Sequence, residues 1–141
     1  MRKLLIIHGP NLNMLGKRNP EIYGDLTLKE VNKKIKDFTS SLGIDVNIIQ
    51  SNIEGDIINA IQDSKDYDGI VINPAGYTHT SVSIRDAIEI VEIPVIEVHI
   101  SNIYAREKFR QKSIIAPVCV GQITGLGYFV YILAIEYLTR R

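Results

Sequence analysis

The chain has 141 residues, of which sixteen are basic and sixteen acidic, so its formal net charge at pH 7 is zero. This length is typical of one domain, here residues 1–141, that buries about two thirds of the surface its unfolded chain exposes. The balanced charge argues against nucleic acid as a partner. No stretch approaches about 18 consecutive apolar residues, and the first residues lack a signal-peptide pattern. We therefore expect a cytoplasmic protein that does not enter a membrane.

Five short runs rich in β-branched residues alternate with helix-like segments, which predicts a parallel sheet. The runs are Lys3–His8, Ile44–Gln50, Gly69–Ile72, Val95–His99 and Val118–Val120. The second run alternates apolar and polar residues as an edge strand does, whereas the first and third are uniformly apolar, as central strands are. This pattern favours a flavodoxin-like α/β fold with five strands in the order 2-1-3-4-5 and helices on both faces.

Four segments carry helical periodicity or helix-capping residues. The clearest runs from about Leu28 to Leu42, because Thr27 and Glu30 can form a capping box before apolar residues spaced three and four apart. The others are predicted at Gly55–Ser64, Val82–Val91 and Thr124–Leu138. Apolar side chains surround much of the last helix, so its surface is predicted to be either deeply buried or a subunit contact.

The long connection after strand 1, residues 9–26, borders the crevice that this strand order opens between strands 1 and 3. It exceeds the usual length of a βα loop, and we expect a mobile lid. The loop contains Asn11, Arg18 and Tyr23. Because a nearby cation favours phenolate, Tyr23 beside Arg18 can serve as a base. A surface tyrosine with an unrelated arginine is the alternative.

A second polar cluster ends strand 4. Strand alternation places Glu97, His99 and Ser101 on one side, where the carboxylate can orient the imidazole. A buried polar pair without a catalytic role is the alternative. Downstream, Arg106 and Arg110 are four residues apart, as on one helical face, and form either a carboxylate clamp or an exposed salt-bridged surface.

The segment from Asn73 to Ser81 forms the other wall of the predicted crevice. Asn73 and His79 are expected to face it, and Ser81 is either a plain helix N-cap or part of an anion site at that helix end. The histidines His8, His79 and His99 all fall at strand ends, which raises a metal site as an alternative. Their spacing matches no closed metal motif, and we expect neither metal nor cofactor.

Several short motifs occur together in a fixed order and spacing. They are Gly-Pro-Asn-Leu-Asn from Gly9, Arg18 with Tyr23, Gln50-Ser-Asn, Glu54-Gly, Asn73 with Gly76 and Thr78-His-Thr-Ser, Arg85-Asp-Ala, Glu97-Val-His-Ile-Ser-Asn, and Gly125-Leu-Gly. In these motifs the chain resembles the type II 3-dehydroquinate dehydratases over almost its whole length. The resemblance implies a single catalytic domain and a hydro-lyase of the shikimate pathway. Such an enzyme reversibly removes water from 3-dehydroquinate through an enolate, giving 3-dehydroshikimate without a Schiff base. It also implies a homododecamer built from trimers.

The resemblance also assigns roles to individual residues. Tyr23 would be the base, Arg18 would stabilise its charge, and Asn11 would help to hold a water beside the enolate. His99 would protonate the departing hydroxyl, with Glu97 behind it. The residues that would bind the substrate hydroxyls and carboxylate are Asn73, His79, Ile100, Ser101 and Arg110, together with Asp86 from a neighbouring subunit.

The chain departs from the family pattern at Asn19, where a glutamate is common, and this change could alter the contacts that close the lid. His8 receives no role from the resemblance. Two other functions stay open at this point. One is a non-catalytic flavodoxin-like module that binds a small carboxylate or a nucleotide, and the other is a metal-dependent hydrolase that uses the three histidines.

Overall fold

The structure is a computed structural model that describes residues 2–17 and 19–141. Five parallel strands form one sheet in the order β2-β1-β3-β4-β5. The strands are β1 (Lys3–His8), β2 (Asp45–Gln50), β3 (Gly69–Asn73), β4 (Val95–His99) and β5 (Gly121–Thr124). The predicted flavodoxin-like fold class and strand order are confirmed.

Helices cover both faces of this sheet. They are α1 (Pro20–Tyr23), α2 (Leu28–Ser41), α3 (Glu54–Gln62), α4 (Val82–Ile90) and α5 (Phe129–Arg140). The predicted capping box begins α2, since Thr27 Oγ1 accepts from the Glu30 amide at 3.2 Å and Glu30 Oε1 accepts from the Thr27 amide at 3.1 Å. In the part of the chain that the structure describes, no helix is both long and apolar enough to cross a bilayer.

Alternate residues of the central strands build two cores, one on each side of the sheet. Leu4 and Ile6 of β1 pack with α2 and α5, whereas Leu5 and Ile7 pack with α3 and α4. Each of these four side chains is almost fully buried, and burying one of that size contributes about 1.5–3 kcal/mol. The strongly apolar pattern of β1 therefore fixes it in the middle of the sheet.

The predicted fifth strand at Val118–Val120 is wrong, because β5 begins only at Gly121. Residues Ala116–Val118 form a 3₁₀ turn around Pro117, whose fixed φ and missing N–H favour a turn over a strand. Val118 and the neighbouring Cys119 still pack against the core, which explains why this segment is apolar without being a strand.

The last helix begins at Phe129 and not at Thr124 as predicted, because Gly125 and Gly127 adopt positive φ values of 91° and 63°, which a right-handed helix excludes. The residues that it buries are Val130, Tyr131, Ala134, Ile135 and Leu138. A second apolar strip of Phe129, Leu133 and Tyr137 is exposed in the single chain. One face of the helix is thus buried as predicted, and a subunit contact at the exposed face stays a prediction.

Candidate active site

A pocket of about 250 Å³ opens at the carboxyl ends of β1, β3 and β4. Eight of the residues predicted for the site line it: Asn11, Tyr23, Asn73, His79, His99, Ile100, Ser101 and Arg110. Glu97 is fully buried behind His99. Asp86 is exposed on α4 and does not line the pocket of its own chain. Arg18 lies outside the described residues, so the roles of Arg18 and Asp86 stay predictions.

Tyr23, at the end of α1, contacts Arg106, a cation that was not predicted to lie beside it. Arg106 Nη1 donates to the Tyr23 hydroxyl at 2.6 Å, and the guanidinium carbon lies 5.0 Å from the centre of the ring. The Arg106 side chain is only 13% exposed. A guanidinium hydrogen bond to a phenol oxygen stabilises the phenolate form. The arrangement therefore suits Tyr23 to accept a proton from a ligand in the pocket.

The prediction that Arg106 and Arg110 share one helical face is wrong. Two separate 3₁₀ turns, Ile103–Ala105 and Lys108–Arg110, flank an extended Arg106 with φ −114° and ψ −169°. Glu107 holds the two guanidinium groups instead, because its Oε1 lies 3.1 Å from Arg110 Nε and 3.7 Å from Arg106 Nε. Both arginines still line the pocket, one beside the phenol and one as a candidate clamp for a carboxylate.

His99 and Glu97 point to the same side of β4, as the alternation predicted. His99 Nε2 lies 2.6 Å from Glu97 Oε2, which leaves Nδ1 as the ring nitrogen free to act in the pocket. Burial opposes ionisation of Glu97, but donors from His99, Gln122 and Ser113 outweigh it and hold the pKa of this carboxyl below its usual value. Gln122 Nε2 lies 2.5 Å and Ser113 Oγ 2.7 Å from the carboxylate. A buried anion thus fixes the orientation of the His99 ring.

His79 is held in one tautomer by the loop that carries the two arginines. Its Nδ1 lies 2.8 Å from the Lys112 carbonyl oxygen, which can only accept, so Nδ1 carries the proton and Nε2 is left as an acceptor. The same loop is tied to α4 and to the β3 connection, since Ile114 accepts from Arg85 Nη1 at 2.8 Å and donates to the Thr78 carbonyl at 3.0 Å. These contacts fix the part of the pocket wall that carries His79.

Asn11 adopts a left-handed conformation with φ 68°, which asparagine tolerates better than most residues. Its amide N–H donates to Asn52 Oδ1 at 2.9 Å, and Gln50 Nε2 donates to the same oxygen at 3.1 Å. The Gln50-Ser-Asn motif at the end of β2 therefore supports the start of the connection after β1. Polar residues at the end of an edge strand were the available signal for this role.

The structure does not bring the three histidines together as ligands. His8 is fully buried, with Nδ1 2.9 Å from the Tyr131 hydroxyl and Nε2 2.8 Å from Asn32 Oδ1, so both nitrogens are engaged inside the core. Among residues 2–17 and 19–141, no three His, Cys, Asp or Glu side chains are grouped to hold a metal. Ser81 acts as an N-cap, because its Oγ accepts from the Ile84 amide at 3.0 Å, and its hydroxyl also donates to Glu54 Oε2 at 2.5 Å.

Comparisons with known proteins agree with this geometry. The model of the family "Dehydroquinase class II" matches residues 2–139. The chain belongs to the class II dehydroquinase family. A 3-dehydroquinate dehydratase from Nitratiruptor sp. is 56% identical over 133 residues, which cover 94% of this chain and 85% of that protein. One from Thermotoga neapolitana is 53% identical over 138 residues, covering 98% and 94% of the two chains.

Solved structures of class II dehydroquinases share the fold closely. The type II dehydroquinase from Butyrivibrio crossotus superposes with a TM-score of 0.97 at 49% identity, covering 98% of this chain and 97% of that one. The enzyme from Propionibacterium acnes gives 0.96 at 38% identity, covering 100% and 98%. The resemblance inferred from the sequence motifs is thus confirmed.

Asn19, where the resemblance implies a departure from the family pattern, fits the local backbone. Asn19 precedes α1 with φ 35° and ψ 64°, a left-handed conformation in which asparagine is several-fold enriched among non-glycine residues. Its carbonyl accepts from the Ile22 and Tyr23 amides at 2.9 and 3.1 Å. Asparagine at this position therefore favours the turn that begins the Tyr23 helix.

Proposed function

We propose that this chain is a 3-dehydroquinate dehydratase, a hydro-lyase that reversibly converts 3-dehydroquinate into 3-dehydroshikimate and water. The proposal is supported chiefly by two hydrogen-bonded pairs in one pocket. The Tyr23 phenol accepts from the Arg106 guanidinium, and the His99 imidazole is hydrogen-bonded to the buried Glu97 carboxylate. An elimination of water next to a ketone needs such a base and such an acid. Membership of the class II dehydroquinase family supports the same substrate.

The proposed reaction begins with Tyr23 as phenolate. It takes a proton from the carbon next to the ketone, and the electron pair of the broken C–H bond forms an enolate. The enolate then collapses and breaks the C–O bond, while His99 Nδ1–H gives its proton to the departing hydroxyl to form water. A free tyrosine titrates at about 10, so forming phenolate near pH 7 needs about 4 kcal/mol of preferential stabilisation. Arg106, which donates to the phenol oxygen, and Arg18 are proposed to supply this stabilisation.

The other predicted residues are proposed to bind the substrate. Arg110 suits the carboxylate, because its guanidinium can form two parallel hydrogen bonds to it. His79 Nε2 suits a substrate hydroxyl as an acceptor, given the tautomer set by Lys112. Asn11 is proposed to hold a water beside the enolate oxygen. The remaining contacts are assigned to Asn73, Ile100 and Ser101, and to Asp86 of a neighbouring subunit.

We also propose a homododecamer built from trimers, working in the cytoplasm. The exposed position of Asp86 and the apolar side chains of Val82 and Ile90, 60% and 74% exposed on the same helix, suit a subunit contact there. Analytical ultracentrifugation tests the assembly, and a monomeric active enzyme would contradict it.

The lone Cys119 can form no internal disulfide, which is usual for proteins of a reducing compartment.

An absorbance assay tests the activity. Purified protein with 3-dehydroquinate should generate the enone chromophore of 3-dehydroshikimate, without added metal or cofactor and in the presence of chelator. Borohydride with substrate should not inactivate it, since no lysine is among the described residues that line the pocket. Tyr23→Phe should abolish turnover while substrate still binds, and Tyr137→Phe, an exposed tyrosine of α5, should leave turnover unchanged. Binding without turnover in the unmodified protein would favour a binding module instead.

A further inference from the structure

A buried chain of hydrogen bonds lies beneath the pocket and ends on a residue that lines it. Asn73 Nδ2 lies 3.1 Å from the Tyr131 hydroxyl, which lies 2.9 Å from His8 Nδ1. His8 Nε2 lies 2.8 Å from Asn32 Oδ1 on α2. His8 and Tyr131 are fully buried and Asn73 is 3% exposed. The mechanism proposed above uses only Asn73 of these residues.

The Ala75 backbone amide sets the orientation of the Asn73 side chain. Its N–H can only donate, and it lies 3.1 Å from Asn73 Oδ1, so that oxygen faces Ala75 and the Nδ2 group donates to the Tyr131 hydroxyl. At the other end, His8 Nε2 faces Asn32 Oδ1, which can only accept, so the neutral His8 ring carries its proton on Nε2. His8 Nδ1 is then an acceptor, and the Tyr131 hydroxyl donates to it.

We propose that His8 and Tyr131 are positioning residues that hold the Asn73 amide with one Nδ2 proton directed to Tyr131 and the other available to a substrate hydroxyl. This inference rests on the proposed function, because it assumes that Asn73 contacts the substrate. The amide is restrained at both ends, by Ala75 at its oxygen and by Tyr131 at its nitrogen. A rotated amide would face Ala75 with a donor and would leave two buried N–H groups opposed, which is costly.

Two features of the surroundings favour this single arrangement. Burial lowers the pKa of His8 to about 4, so the ring is neutral near pH 7 and keeps Nδ1 as an acceptor. Ala75 adopts φ 53°, an uncommon conformation for alanine. Its amide lies within hydrogen-bond distance of Asn73 Oδ1 in that conformation. The end of β3 and the buried hydroxyl of α5 thus restrain the same side chain.

Steady-state kinetics in two backgrounds test the proposal. Tyr131→Phe should raise KM about tenfold, the effect of one hydrogen bond, with a smaller change in kcat. In an Asn73→Ala background, Tyr131→Phe should change KM by less than about twofold, because Tyr131 would act through Asn73. An equal factor in both backgrounds would overturn the proposal and assign Tyr131 a packing role only.

Two substitutions at His8, one that keeps an acceptor and one that removes it, form a matched pair of variants. His8→Asn keeps an acceptor near the position of Nδ1 and should keep KM within about threefold of the unmodified enzyme, whereas His8→Leu should match Tyr131→Phe. Equal KM values for the two His8 variants would contradict the proposal.

Hydrogen exchange gives a readout that does not depend on activity. In Tyr131→Phe and His8→Leu the freed Asn73 amide should protect the Ala75 N–H less, so a peptide containing Ala75 should exchange about tenfold faster. His8→Asn should leave that exchange unchanged. Unchanged exchange in all three variants would overturn the proposal. If the unmodified enzyme produces no enone while the three variants show the predicted exchange pattern, only the proposed function is contradicted.

Discussion

Arg106 donates a 2.6 Å hydrogen bond to the hydroxyl of Tyr23, across 83 residues of sequence. The guanidinium also lies 5.0 Å from the centre of the same ring, so it contacts the phenol at both its oxygen and its face. The loop after β4 thereby contacts α1, which ends at Tyr23. Tyr23 lines the pocket together with Arg106.

Replacing Arg106 tests the importance of this contact. Arg106→Gln removes the cation but keeps a hydrogen-bond donor, so phenolate becomes less favoured. At pH 7, kcat should fall at least tenfold. Arg140→Gln on the exposed side of α5 is the control and should leave kcat unchanged. An unchanged kcat in Arg106→Gln would exclude Arg106 as the stabiliser of the base.

Adding a second carboxyl beside Glu97 should disturb both stability and turnover. In Gln122→Glu the new group lies where Nε2 now donates to Glu97 at 2.5 Å, and two such carboxylates cannot both ionise cheaply. The added group's folded-state pKa is raised, so its destabilising effect grows as the pH rises above about 4.5. We expect a loss of about 1–4 kcal/mol in the free energy of unfolding at pH 8, with much less at pH 5.

Urea unfolding at both pH values and kcat at pH 7 check this outcome at one protein concentration. Gln62→Glu, at the exposed end of α3, adds the same charge and should change neither quantity appreciably. Equal stability losses at pH 5 and pH 8 in Gln122→Glu would show that Glu97 is not a buried carboxylate.

His8 should make the fold sensitive to acid. Burial lowers its pKa from 6.5 to about 4, so the unfolded chain takes up a proton at a higher pH than the folded one. Above pH 6.5 His8 is neutral in both states, and its titration does not lower the free energy of unfolding. As the pH falls from 6.5 toward 4, this free energy decreases by about 3 kcal/mol in total. Unfolding curves from pH 7.5 to 4.5 should show this slope, and His8→Asn should lack that part of it. Parallel slopes for the two proteins would contradict the buried neutral imidazole.

Gly9 should not tolerate a side chain. A Cβ on this residue would lie 2.7 Å from the carbonyl carbon and oxygen of Pro74 and 2.9 Å from the Asn73 carbonyl oxygen, all of them backbone atoms. Gly9→Ala must therefore shift the wall of the pocket, and we expect about 1–3 kcal/mol of destabilisation together with loss of kcat/KM. Gly55→Ala is the matched control. It meets nothing within 4 Å in α3 and should be neutral or stabilising by up to about 1 kcal/mol. Thermal unfolding and the enone assay compare the two variants.

Features encoded by neighbouring residues could be predicted from the sequence. The capping box at Thr27 and Glu30 and the alternation of Glu97 and His99 depend on fixed local spacing, and the structure confirms both. The meeting of Tyr23 and His99 in one pocket followed from the rule that parallel strands end at one edge of the sheet.

Contacts between distant segments could not be predicted in this way. Arg106 contacts Tyr23, and no helical spacing indicates the extended backbone of Arg106. In the register of β5, Gln122 lies directly opposite Glu97. The sequence predicted the strand at the apolar run Val118–Val120, before β5 begins, and so gave no indication of the contact between Gln122 and Glu97. The contacts of the Tyr131 hydroxyl could not be predicted either, because the sequence of an apolar helix does not indicate which residue directs a buried hydroxyl to the sheet.

The position of Tyr131 has a consequence for biosynthesis. A ribosome makes the chain from its amino end, so β1 and β3 are synthesised before α5. The polar ends of β1 and β3 must until then remain solvated, since the hydroxyl that His8 and Asn73 share belongs to α5. A nascent polypeptide cut short before this helix would therefore carry the side chains that line the pocket yet lack their ordered arrangement.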